Sequence, residues 1–408
     1  MWPRIVVPAV LSIGAVSAWD QVFPFNPGFD IRSVTALAES LPSHSWEFGT
    51  AAEALLELYN ASFSVFSPCH RDSAPVPDIQ APTKTVRALS YANQNIVIGA
   101  PPNVLADGDN AVGDPASLGV SAVLLGKTIP KYADAAEEQL DYVVNQAPRW
   151  SNGAISHRAE EPELWADFIY MAPPFIAYYG LDKSDASLIK EAVEQCKLYR
   201  EVLLSSSPRL WKHIVGNLHP DPGHWSTGNA WAAAGMTRVL ATVLRAPSYV
   251  VSASQKRTWA NELTSMIKEI VDGAITSPDD DGLLRNYLDD TTWFGEISGS
   301  SLISAVVYRM AILQPDVFAR DTYLEWADAT RETLGEGHVT EEGIVRPAVN
   351  PLGWDDREPF VTGSPEGQNF VVLMYAAWRD CVLQRVCRFN WKDVGNDATE
   401  IQGWAAKC

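Results

Sequence analysis

Helical periodicity interrupted by long, aromatic-rich loops constrains the fold of this sequence more than any other feature. Apolar residues recur at three- and four-residue spacing over 31–40, 51–59, 115–126, 132–146, 184–204, 226–244, 254–272, 298–313, 316–333 and 367–378, as amphipathic helices require. Almost no stretch alternates as a strand would. Before alternate helices run APRWSNGAISHRAEE, LWKHIVGNLHPDPGHW, SPDDDGLLRNYLDDTTWFGE and EEGIVRPAVNPLGWDDREPFVTGSPE, longer than the connections of a simple bundle. Units of roughly 50–70 residues, each a helical pair with one long loop, predict an all-α ring of helical hairpins whose long loops gather at one end to make a site. Residues 19–408 read as a single domain.

Residues 1–18 read as a signal peptide: Arg4 precedes an apolar run from Ile5 to Val16, and Val16-Ser17-Ala18 is a small-residue cleavage site. The expectation is a secreted, extracellular chain beginning near Trp19. No later stretch approaches the roughly 18 apolar residues of a membrane span. A net charge of -19 argues against nucleic acid and anionic membrane as partners, because both are gripped by clustered Lys and Arg. In an exported chain Cys69, Cys381, Cys387 and Cys408 are candidates for bridges, with the pairing open. Cys196 shares an apolar stripe with Ile189, Ala192, Val193 and Tyr199 and is expected as a buried free thiol. Asn60-Ala61-Ser62 is a glycosylation sequon. The proline-rich run from Ser67 to Thr83 reads as a surface excursion.

The chemistry centres on PELWADFIYMAPPFIAYYG, residues 162–180. Pro162 suits a first helical turn, so a helix is expected to start there and to halt or kink at Pro173 and Pro174. Asp167 then sits among Leu164, Phe168 and Met171. Burial in such surroundings raises a carboxyl pKa and keeps the proton available for general acid catalysis; an Asp facing solvent or capping backbone is the competing reading. A second cluster runs through Trp211-Lys212-His213-Ile214 and on to His224–Trp231, where Trp225 and Trp231 flank Gly228-Asn229. It suits a wall for sugar hydroxyls, although Ser226 and Thr227 equally fit a helix cap. A third, Asp281 to Ser298, offers Glu296, favoured as a supporting rather than catalytic residue. Asp107, Asp109 and Asp114 gather near one helix start, where Asp114 reads as a cap. Fifteen Trp offer flat faces for sugar rings, with core filling explaining most of them. His157, His213, His219 and His224 lack metal-ligand spacing. No glycine-rich phosphate loop or nucleophile elbow occurs, so nucleotide chemistry and serine hydrolysis lack support, and a metal is not expected from the histidine spacing.

Taken in order, WADFIYMAPPF, WKHI, HWSTGNAWAAAGM and DGLLRNYLDDTTWFGEISGSS resemble the six-hairpin glycosidases over residues 107–379. Within that group they look like the unsaturated rhamnogalacturonyl hydrolases of glycoside hydrolase family 105, with the unsaturated glucuronyl hydrolases of family 88 as cousins. The resemblance implies an (α/α)6 barrel, no cofactor, and removal of a 4,5-unsaturated uronic acid from the non-reducing end of cell-wall oligosaccharides. It implies Asp167 as acid/base, His213 as a substrate contact, Trp225 as a lining of the sugar site and Asp114 as a second essential Asp. Trp165, Lys212, Thr227, Asn229, Trp231, Arg285 and Glu296 complete the expected substrate-binding set. Where the family carries Trp-x-Arg for the uronate carboxylate, this chain has Trp225-Ser226-Thr227, so a cation must come from elsewhere. Lys212 and Arg285 rank ahead of Arg158 for that role. The alternatives are an exo-glycosidase or polysaccharide lyase acting on a saturated uronate or neutral sugar, and a carbohydrate-binding protein without turnover. An oligosaccharide is the expected partner, and no oligomeric state is implied.

Overall fold

The computed structural model describes residues 22–67 and 85–388. The expected signal peptide, nearly all of the 67–83 excursion, Cys69 and Cys408 lie outside these residues. Twelve helices longer than one turn carry the fold: α1 Ile31–Ser40, α2 Ser45–Tyr59, α3 Arg87–Asn95, α4 Gly119–Gly126, α5 Pro130–Asp141, α6 Phe168–Lys183, α7 Ala186–Leu203, α8 Ser226–Arg245, α9 Ala253–Ile275, α10 Ile297–Leu313, α11 Asp321–Thr333 and α12 Pro365–Leu383. A short helical turn, Gly113–Ala116, leads into α4.

The even-numbered helices form an inner ring. Each packs on the next, and α12 closes the circle against α2. The partners α3, α5, α7, α9 and α11 lie outside α2, α4, α6, α8 and α10 respectively, and α1 covers α12. Five hairpins are therefore local in sequence, and the sixth joins the first helix to the last. This is the (α/α)6 barrel. Composition explains the layering. Inner helices such as α8 and α10 are buried almost all round, as a helix that is apolar on every face must be. Outer helices such as α7 and α9 bury one stripe and expose charge on the other.

Two expectations about α6 are corrected. It begins at Phe168 rather than Pro162, because residues 164–165 are taken instead by a two-residue strand, β1 Leu164–Trp165, paired antiparallel with β2 Ile214–Val215. It also continues past Pro173 and Pro174 to Lys183 rather than halting there. A proline removes the hydrogen bond to the carbonyl four residues back, which frees Ile169 O and Tyr170 O. Arg238 Nη1 of α8 takes Tyr170 O at 3.3 Å. Gly235 lets the two backbones meet: a Cβ there would lie 2.0 Å from Ile169 O. Helix α3, which the sequence pattern did not announce, packs on α2. Cys381 and Cys387 form a disulfide, and Cys196 is a buried free thiol as expected. No helix among the described residues is long and apolar enough to cross a membrane.

Candidate active site

The inner helices present their first turns to one end of the barrel. Trp46 is the second residue of α2, Asp114 lies in the turn before α4, Asp167 immediately precedes α6, Trp225 precedes α8 and Glu366 is the second residue of α12. These residues line one cleft of about 230 Å³, together with His157, Arg158, Trp165, His213, His219 and Trp354 from the long loops. Asp167 and His213 are brought together by the β1–β2 pair, in which Ala166 N donates to His213 O at 2.9 Å. Glu163 fastens the same loops. Its carboxylate accepts from Trp165 Nε1 at 2.7 Å and from the backbone N–H groups of Leu218 at 2.9 Å and His219 at 2.7 Å.

Asp167 Oδ2 stands 3.4 Å from His213 Nε2, in ion-pair contact without an aligned hydrogen bond. The other face of the imidazole, Nδ1, is 2.9 Å from Asp221 Oδ2, which also accepts from Tyr287 Oη at 2.6 Å. Tyr287, Asp221, His213 and Asp167 thus form one chain of polar contacts. Burial works against a charge on His213, but the Asp167 and Asp221 carboxylates outweigh it and raise the pKa. Asp221 is itself held below the ordinary range: burial opposes ionisation, and the His213 and Tyr287 hydrogen bonds overcome it. Sequence reading missed Asp221 and Tyr287, because each lies in a loop with no helical spacing relating it to His213.

The neighbouring groups are driven the opposite way. Asp114 is buried, and that burial, followed by the negative charge of Asp167, pushes its pKa up to about 8 in spite of Arg158. Its carboxyl is held far above the ordinary carboxylate range. Burial also pushes His157 down to about 4, against the pull of Asp167, so a neutral imidazole lies 3.8 Å from Asp114 Oδ1. The surroundings therefore drive Asp114 up and Asp221 down, and His157 down and His213 up, the divergence expected of acid and base partners in catalytic sites.

Aromatic rings make the walls. Trp165 stacks on His157 with centroids 4.9 Å apart, and Trp354 meets Trp165 and His213 edge-on at 5.4 and 5.1 Å. Trp225 lies 4.4 Å from His213 and donates from Nε1 to Asn286 Oδ1 at 2.8 Å. Of the residues expected from sequence, Asp114, Trp165, Asp167, His213 and Trp225 meet in this cleft. The others do not line it. Thr227, Asn229 and Trp231 lie on α8 and are fully buried. Asn229 is used up holding Trp211 and Trp225 backbone, and Trp231 packs on Tyr170 and Phe370. Glu296 caps α10, accepting from Ser298 N and Gly299 N at 2.6 Å each and from Ser226 Oγ at 2.8 Å. Lys212 sits outside the lining, and Arg285 turns to Trp293 O and Asp280. The ranking of cations is reversed: Arg158 is the one Lys or Arg among the described residues that lines the cleft. It donates to Glu160 at 3.1 Å and leaves Nε buried without a partner.

Residues 124–350 match the model of Glycosyl Hydrolase Family 88. The unsaturated rhamnogalacturonyl hydrolase YesR of Bacillus subtilis is 25% identical over 186 residues, 43% of this chain and 51% of that protein, so the likeness spans about half of the relative's length. Among solved structures, a family 105 glycoside hydrolase from C. acetobutylicum superposes with a TM-score of 0.64 at 15% identity, covering 86% of this chain and 98% of that one. An unsaturated glucuronyl hydrolase from Bacillus sp. GL1 gives 0.57 at 14% identity, covering 85% and 94%. At these identities the structural likeness speaks for the fold.

Proposed function

Because the chain belongs to Glycosyl Hydrolase Family 88, we propose that it removes a 4,5-unsaturated uronic acid from the non-reducing end of an oligosaccharide by hydrating the double bond. The observation that carries this reading is the Asp167–His213 contact of 3.4 Å beside a second carboxyl, Asp114, that retains its proton to about pH 8. Ordinary glycoside hydrolysis places two carboxyls on either side of the scissile bond. Hydration of a vinyl ether needs only one proton delivered to C4 and one removed from the water that attacks C5.

In the proposed reaction Asp167, protonated as the substrate binds, delivers its proton to C4. As a carboxylate it then accepts a proton from the water adding to C5. The C4–H and C5–O bonds form as the double bond is lost, and the resulting hemiketal opens with departure of the leaving sugar. His213, fixed by Asp221, keeps Asp167 oriented and screens its charge between the two transfers. Trp165, Trp225 and Trp354 supply flat faces to the ring. Arg158 offers the uronate carboxylate a charge-assisted donor, in place of the arginine that Thr227 lacks. The first turns of the inner helices add their positive dipole ends at the cleft. Rhamnose as the leaving sugar is supported by the name of the B. subtilis relative. Export rests on residues 1–18.

The test is optical. Hydration removes the conjugated chromophore, so wild type should abolish the short-wavelength ultraviolet absorbance of an unsaturated galacturonyl-rhamnose disaccharide and release rhamnose in equal amount. A rise in absorbance on a saturated polymer would identify a lyase instead. Release of a neutral sugar with constant absorbance would identify a conventional exo-glycosidase.

A further inference from the structure

Glu366 belongs to no motif, yet its side chain is buried in the wall of the cleft. One oxygen is fixed: Oε1 accepts from Trp46 Nε1 at 2.9 Å, and Trp46 is steadied by stacking on His44 at 4.9 Å. The other oxygen, Oε2, is buried and has no hydrogen-bond partner. Burial first, then the charge of Asp167, lifts this carboxyl well above the ordinary range, and the Trp46 hydrogen bond opposes them. The charged groups acting most strongly on it are Asp167 ahead of α6, Glu47 on α2 and Glu296 ahead of α10, all acids. Since Oε1 accepts from the indole, the proton belongs on Oε2, which makes that atom a donor left without an acceptor. A buried donor of this kind is unfavourable until something meets it.

We propose that Glu366 is a sugar-recognition residue whose Oε2–H donates a hydrogen bond to an oxygen of the bound uronide, with Trp46 fixing which carboxyl oxygen carries the hydrogen. This rests on the reaction assigned above for the identity of the sugar. A neutral acid can lie beside a uronate that an ionised glutamate would repel, so the cleft's acids need not exclude an acidic substrate. The residue comes from α12 and its bracket from α2, which brings the seam where the barrel closes into the binding site.

Three proteins decide the matter: wild type, Glu366→Ala and Glu366→Gln, assayed on the unsaturated galacturonyl-rhamnose disaccharide. Losing one donor should raise KM in Glu366→Ala about tenfold, more than it lowers kcat. Gln can keep its carbonyl on Trp46 and place Nε2 where Oε2–H stood, so it should limit the rise to roughly threefold. A second measurement needs no turnover. The infrared difference between wild type and Glu366→Gln should contain the carbonyl band of a neutral carboxylic acid, and added galacturonate should shift it. If wild type left the chromophore intact while that band was present and shifted, the assigned reaction would fall and Glu366 would stand as a sugar contact. The proposal is overturned by a KM for Glu366→Ala within about twofold of wild type, by a Gln variant as impaired as Ala, or by a band that is absent or unmoved.

Discussion

Both ends of the barrel bury charged groups on the same inner helices, but only one end pairs its acids with arginines. Far from the cleft, Arg309 of α10 donates to Asp380 at 2.6 Å and to Glu57 at 2.7 Å. Arg238 reaches Glu53 at 2.9 Å, and Arg379 divides its donors between Asp380 and the carbonyls of Glu57 and Leu58. Three acids face three arginines, with Arg238 Nε the one unmet donor on those arginines. About 21 Å along α12, at the helical rise per residue, the cleft leaves Asp167 Oδ2, His157 Nδ1, His213 Nε2, Arg158 Nε and Glu366 Oε2 without partners. Buried polar atoms are normally paired. The paired end acts as a structural clamp across α2, α8, α10 and α12, and the unpaired end waits for a ligand. Mutations should therefore separate: at the cleft they should change turnover, and at the clamp they should change stability.

The largest effect is expected from Asp167→Asn. It keeps size but cannot carry the proton, so turnover should fall about a thousandfold, with the thermal midpoint moving by no more than a few degrees. Turnover within tenfold of wild type would remove Asp167 from the mechanism. Next comes Arg309→Met at the clamp. It leaves Glu57 without its cation and Asp380 with Arg379 alone, and should cost about 3 kcal/mol of stability, read from a urea titration. Turnover per folded molecule should be preserved. A loss of turnover without loss of stability would mean that the two ends are not separable. Smaller again are the changes to the polar chain behind Asp167. His213→Ala should lower turnover roughly a hundredfold and Asp221→Asn roughly tenfold, because each acts by holding the residue before it. If Asp221→Asn proved as damaging as Asp167→Asn, Asp221 would belong to the chemistry.

The clamp and the cleft were unequally legible in the sequence. Helical spacing and loop length announce the hairpins, and Asp167, His213 and Trp225 stand out because an acid or histidine among aromatic residues is conspicuous locally. Thr227, Asn229 and Trp231 stand out for the same reason and yet are buried below the cleft, Asn229 holding the Trp211 backbone and Trp231 packing on Tyr170 and Phe370, and spacing alone does not say where the cleft ends. Trp46, Asp221, Trp354 and Glu366 come from four distant segments and meet only when the ring closes. The clamp gave no local signal either. Glu57, Arg309 and Asp380 look like ordinary helix-surface charges until each helix is seen to be buried all round. The start of α6 was misplaced because Pro162 is a good first-turn residue, but pairing of Leu164–Trp165 with Ile214–Val215 holds that stretch extended.

The smallest expected effect distinguishes the two ends by pH. Burial raises the folded-state pKa of Asp114 from 3.8 to about 8, with the Asp167 charge adding and Arg158 opposing. The folded protein then holds a proton that the unfolded chain releases near pH 4. The associated stability is complete below pH 3.8 and is lost as pH rises through about 8. Glu57 is raised in the same direction by burial, but Arg309 pulls it back. The thermal midpoint of wild type should consequently drift down by a few degrees between pH 5 and 8. Asp114→Asn, neutral at every pH, should reduce that drift, leaving the parts of Glu57 and Glu366, whose carboxyls burial also raises. Glu57→Gln weakens the Arg309 pair and should lower the midpoint at all pH values while leaving most of the slope. Turnover should show the matching alkaline limb near pH 8, where Asp114 ionises and adds a second negative charge near Asp167. A slope abolished by Glu57→Gln and untouched by Asp114→Asn would place the titrating group at the clamp. The alkaline limb would then need a donor other than Asp114.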